Sequence, residues 1–257
     1  MRNQTDVKKV RYLSNELIQS QSVEPWAEAD LRRRGIKPTG LLGKSHPKGI
    51  IGSQYQKLPG VYWDGMGKPR LNAYPDSYFC PIFNEDGLVV GGQWRVKESS
   101  SSSKYIWCSA GSKGGISQHI NGKTPHTLCN FNTDKRANFT VNEGKGRKVR
   151  KNIILFSEGC LKPLVINQLS GYPTIGAVGG NFKGTFEDLE CFILKVTNNK
   201  SDQFTFALAA DAGSGLNELV MSNYRRLANF LKAKYDKKLY VTWYGQYKKN
   251  TAILMKI

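Results

Sequence analysis

From Asn152 onward the chain alternates between short apolar runs and stripes of apolar residues at helical spacing, and this alternation restricts the architecture more than any other feature. Ile153-Ile154-Leu155-Phe156 contains no polar residue, the pattern of a strand covered on both faces. Leu161, Leu164, Val165 and Leu169 then fall on one helical stripe. Pro173 to Val178 reads as a second strand, Phe204 to Ala210 as a third and Leu239 to Trp243 as a fourth. Before the last strand, Leu216, Leu219, Val220, Leu227, Phe230 and Leu231 mark one side of a long helix from about Leu216 to Lys234, with Lys232 and Lys234 complementing the dipole of its last turns. The expected fold class is α/β, a mostly parallel sheet with flanking helices.

Upstream the signals are weaker. The spacing predicts a short helix over Ser14–Ser20 and another over Pro25–Arg34, where Pro25 suits a first turn and Gly35 a stop. Arg32-Arg33-Arg34 at the end of the second either grips phosphate or complements the helix dipole. Gly40 to Pro69 reads as extended loop. Tyr78–Phe83 and Leu88–Val96 flank the turn Asn84-Glu85-Asp86-Gly87 as a β-hairpin, and Lys104–Cys108 follows the serine run Ser99–Ser103 as another strand. The segment up to Glu143 has little periodicity, and Gly144 to Lys151 is a basic linker. A chain of 257 residues can bury one sizeable core or two modest ones. The division expected is an irregular basic region over residues 1–75, a smaller basic α+β, β-rich subdomain over 76–150, and the α/β domain over 151–257.

Lysine and arginine number 38 against 20 acidic residues, a formal net charge of +18 that attracts polyanions through steering and counterion release. Nucleic acid is the natural partner, with Lys145, Arg147, Lys148 and Arg150 of the basic linker as candidate contacts. No signal peptide and no apolar run of about 18 residues is visible, so the expected location is the cytoplasm, away from membranes. Cys80, Cys108, Cys129, Cys160 and Cys191 lack short Cys-x-x-Cys spacing and read as reduced, buried thiols; a structural zinc site is not expected. Trp63, Tyr74, Tyr78, Trp94, Tyr105 and Trp107 are interleaved with basic residues and either stack bases or fill the core.

In an open parallel sheet, ligands gather at the carboxyl ends of the strands. Glu158 follows the first expected strand and Asp211 the third, each beside glycines (Gly159, Gly213, Gly215) that allow close approach to the backbone. Two carboxylates with room left for water suit Mg²⁺ or Mn²⁺, which keep part of their hydration. Singly, such acids serve more often as helix caps or solvated strand ends.

This ordered set resembles the TOPRIM domain of bacterial DnaG-type primases and topoisomerases: Glu158-Gly159 after an apolar strand, Lys162, Gly176-Ala177-Val178-Gly179 ending the next strand, then Asp211-Ala212-Gly213. The resemblance extends upstream through Cys80 to Gly91, Arg95 and Lys104-Tyr105, which look like the basic half of a primase active cleft, and spans roughly residues 75–245. It is nearest to a TOPRIM-like family of unknown function from plasmid, phage and cyanobacterial replication proteins. The resemblance implies that Glu158 organises metal or acts as a general base, that Asp211 binds Mg²⁺, and that Lys162 lies beside the metal. It further implies that Arg95 and Lys104 contact template phosphate or nucleotide triphosphate, and that Gly159, Gly179 and Gly213 let phosphate approach.

Two departures stand out. Gly213 replaces the second acid of the family's Asp-x-Asp motif, and Lys248-Lys249-Asn250 follows Trp243-Tyr244-Gly245-Gln246 where another acidic motif is expected. The chain therefore reads as a fragment, a degenerate copy, or a protein completed by another polypeptide, with a helicase or other replication protein as partner. The expected function is a Mg-dependent primase-like nucleotidyltransferase acting on single-stranded DNA; the alternatives are a non-catalytic DNA-binding module and a TOPRIM-type nuclease.

Overall fold

The structure, a computed structural model, describes residues 16–97, 103–117, 124–131, 139–142, 147–150, 152–211, 214 and 217–242, with 139–142, 147–150 and 185 described by their backbone. The chain divides into two compact units, Met1–Pro125 and His126–Ile257. Among the described residues no helix is long and apolar enough to cross a membrane.

In the first unit, α1 (Pro25–Arg33) buries Ala27, Asp30 and Leu31. The expected loop from Gly40 to Pro69 contains structure: β1 (Val61–Trp63) pairs antiparallel with β2 (Pro69–Leu71). The predicted hairpin is present as β3 (Ser77–Phe83) and β4 (Val89–Val96), with a register irregularity at Ile82/Phe83, and β5 (Tyr105–Trp107) completes a three-stranded antiparallel sheet. Phe79, Val89, Trp94 and Cys108 pack with Ile18 and Leu41 in its core.

The second unit is built on a five-stranded sheet in the order β12-β11-β9-β10-β6. Its strands are β6 (Thr127–Cys129), β9 (Ile153–Glu158), β10 (Thr174–Ala177), β11 (Thr205–Ala209) and β12 (Leu239–Val241). The last four run parallel and β6 joins the edge antiparallel to β10, giving the mostly parallel α/β sheet expected. Alternation along each strand sorts the core between two faces. Ile154, Phe156, Phe206 and Leu208 meet α3 (Phe186–Thr197) and α4 (Glu218–Tyr235) through Leu189, Phe192, Ile193, Leu227 and Leu231. Ile153, Leu155, Ala207 and Ala209 meet α2 (Leu161–Ser170) through Ile166 on the opposite face.

Several expectations are corrected. β6 lies in a stretch read as aperiodic, and the basic linker contains β8 (Arg147–Arg150), paired antiparallel with β7 (Phe139–Asn142). The second strand ends at Ala177, after which Val178–Gly180 forms a 3-10 turn. Leu219 is 70% exposed, because the buried side of α4 runs through Tyr224, Leu227 and Leu231 and is rotated away from it. Likewise Leu169 is exposed on α2, whose buried face runs through Leu164, Ile166, Asn167 and Ser170. Four cysteines are buried, but Cys191 is exposed on α3.

Candidate active site

The strand order reverses around β9: β10 lies on one side and β11 on the other, and the crossover helices α2 and α3/α4 cover opposite faces. Such a switch point leaves a crevice at the carboxyl ends of the strands. Glu158 is the last residue of β9, and Asp211 lies just past β11, with Ser157 opposite Ala209 in the parallel register. Both acids therefore leave the sheet on the same edge from neighbouring strands. Lys162, in the first turn of α2, bridges them: its Nζ lies 3.9 Å from Glu158 Oε2 and donates to Asp211 Oδ2. An ammonium at a helix N-terminus opposes the helix dipole, and the two carboxylates offset that penalty. The three side chains are each about one-third exposed, so they face a solvated crevice.

The surroundings leave room. Gly159 and Gly179 hold left-handed φ values of +85° and +60°, and a Cβ at either would meet nothing within 4 Å. The Gly179 carbonyl accepts a hydrogen bond from Asn223 Nδ2 at 3.1 Å, tying the turn after β10 to α4. Next to Asn223, Tyr224 is 4% exposed, and its buried hydroxyl has no hydrogen-bond partner. Burial pushes this phenol up to about 12; the Ser214 hydroxyl, outside hydrogen-bonding geometry, opposes the shift, and the charges of Glu158 and Asp211 add to it. Tyr224 was not singled out by the sequence reading. Its only signal there, spacing shared with Leu227 and Leu231, is that of a core residue.

The donor set fits a hard divalent cation. Glu158 and Asp211 supply carboxylate oxygens at one edge, and among the described residues no group of three or more His, Cys, Asp or Glu converges. Two protein ligands, with the remainder drawn from water or substrate, is the arrangement Mg²⁺ favours. Of the other predicted positions, Gly213 and Lys145 lie outside the described residues, as does the segment Trp243 to Ile257, while Arg147, Lys148 and Arg150 stand on β8.

In the first unit, Lys104 is exposed, whereas Arg95 is 11% exposed and held by the fold. Its guanidinium lies 3.9 Å from buried Asp30, donates to the Val96 carbonyl at 2.9 Å, and stacks on Tyr105 and Trp26 at 5.2 and 6.0 Å. Arg32 pairs with Glu28, and both Arg33 and Arg34 pair with Asp30, so the arginine triplet braces its own helix. Of the interleaved aromatics, Tyr78 and Trp94 are core residues and Trp63 is exposed.

No protein-family model matches the chain, and no curated protein matches its sequence. Solved structures do match its fold. A DnaG primase catalytic domain bound to single-stranded DNA aligns over 93% of this chain and 74% of its own, with 14% identity and a TM-score of 0.52. A DNA primase domain from Pseudomonas aeruginosa aligns over 91% and 68%, with 12% identity and a TM-score of 0.54. The fold is that of DnaG-type primase catalytic domains. The RNA polymerase domain of Mycobacterium tuberculosis primase DnaG, in complex with a double-stranded DNA oligomer with a 6-nucleotide overhang, shares the primase fold at 13% identity, a TM-score of 0.54, and 94% and 74% coverage.

Proposed function

We propose that the chain is a primase-like nucleotidyltransferase core that acts on single-stranded DNA with Mg²⁺ or Mn²⁺ and nucleotide triphosphates. The observation that carries this reading is the pairing of Glu158 and Asp211 at the switch point of a primase fold, where one lysine reaches both. A divalent cation bound there supplies Lewis-acid neutralisation of the phosphate oxygens. Asp211 serves as a carboxylate ligand, and Glu158 serves as a ligand or accepts the proton of the attacking hydroxyl as its oxygen bonds to the α-phosphorus and pyrophosphate leaves. Gly159 and Gly179 leave the backbone open to phosphate. Lys104 and the basic residues Lys145, Arg147, Lys148 and Arg150 hold template phosphates, with Arg95 bracing the fold beside Tyr105. A replication protein such as a helicase supplies strand opening.

The test is incorporation of labelled nucleotide on a single-stranded template. Activity is expected in the wild type and a loss of at least about 100-fold in Glu158→Gln and in Asp211→Asn; equal incorporation by all three refutes the reading. A second reading, a DNA-binding module without catalysis, is favoured by the fact that Lys162 already neutralises part of the acid pair and no third acid converges among the described residues. It predicts salt-sensitive DNA binding and no incorporation.

A further inference from the structure

The acid pair of the proposed site already has a cation, and that cation belongs to the chain. Lys162 sits in the first turn of α2, four residues after Glu158, and its ammonium engages Glu158 and Asp211 together. A divalent ion seeking both carboxylates must meet the electrostatic repulsion of this ammonium and compete for the same oxygens. The neighbouring Tyr224 gives an independent sign that the lysine-bound arrangement is incomplete. Its hydroxyl is buried and makes no hydrogen bond within the fold, a penalty that a ligand oxygen would relieve. The pocket thus presents two carboxylates committed to lysine, and a buried phenol, next in sequence to Asn223, that makes no hydrogen bond.

We propose that Lys162 is a resident counter-cation: it holds Glu158 and Asp211 together in the metal-free protein and is displaced when a divalent cation takes the pair. The inference rests on the metal-binding role proposed above for these acids. It assigns Lys162 a positioning task, pre-setting the acid pair at the expense of metal affinity, which differs from a direct role on substrate.

Calorimetric titration of the full chain with Mn²⁺ alone tests this without an activity assay. Lys162→Met is expected to bind Mn²⁺ at least about ten-fold more tightly than the wild type, since it removes the competing charge and keeps the length of the side chain. Lys162→Arg, which restores the charge, should bind as weakly as the wild type, and thermal melting checks that each variant is folded. Equal or weaker binding by Lys162→Met than by the wild type, with wild-type binding lost in Asp211→Asn, overturns the displacement idea and leaves the metal site standing. Absence of Mn²⁺ binding in the wild type and in folded Lys162→Met overturns both.

Discussion

His126 and Asp30 are buried titratable residues whose environments act in opposite directions. His126 Nε2 lies 3.0 Å from the Phe182 carbonyl oxygen, which can only accept, so the proton resides on Nε2 and the buried Nδ1 has no partner. Burial drives its pKa down to about 4, a shift that this hydrogen bond opposes. The unfolded chain therefore takes up a proton near pH 6.5 that the folded chain refuses, and stability falls as pH drops from about 6.5 to about 4, by roughly 3 kcal/mol over the window. Urea melts across that range should show the decline in the wild type and lose most of it in His126→Gln. For Asp30, burial raises the pKa, but hydrogen bonds from Arg33, Tyr78 and Arg34 and the charge of Arg34 outweigh it and hold the carboxyl at about 2. Its contribution is fully present above about pH 3.8 and is lost progressively as pH falls from there through about 2. Asp30→Asn at neutral pH is expected to cost about 2–3 kcal/mol in the same melts, since it removes the charge that faces the partly buried Arg34 and Arg95 and weakens the bond from buried Tyr78. Tyr224→Phe is predicted to be neutral or up to about 1 kcal/mol stabilising, because the hydroxyl removed has no partner; a large loss of stability would show that a bond exists there.

At the scale of elements, what the sequence made legible follows from periodicity. The uninterrupted apolar run of β9 announced a strand covered on both faces and the residues of β11 a further strand, and Glu158 and Asp211 were located by their positions just after those strands. α3 was missed although Leu189, Phe192, Ile193 and Val196 carry helical spacing, and β6 was missed because three residues at a sheet edge show no period. The bridging role of Lys162 was invisible too, since its contact with Asp211 depends on two strands meeting in register. The position of β10 rests on Gly176: a Cβ there would stand 2.4 Å from the Gly159 carbonyl oxygen and 2.2 Å from Pro163 Cγ. Gly176→Ala should force β10 away from the Glu158–Gly159 turn and from α2, with a loss of about 2–4 kcal/mol in denaturant melts. A variant as stable as the wild type would mean that this close approach is not needed.

For the whole molecule, the +18 charge was legible at once, and it accounts for the proposed polyanion partner without specifying a reaction. The sequence could not divide those charges between binding and bracing; Arg33, Arg34 and Arg95 gather around Asp30, whereas Lys104 stands exposed. Binding of single-stranded DNA should weaken by more than about ten-fold between about 50 and 200 mM salt. Affinity indifferent to salt would remove the electrostatic account of the charge.

The most direct test of the acid pair is anomalous diffraction from crystals soaked in Mn²⁺. A peak is expected at inner-sphere distance from both Glu158 and Asp211, with the Lys162 ammonium displaced from between them. A peak elsewhere, or none at the pair under saturating Mn²⁺, would contradict it.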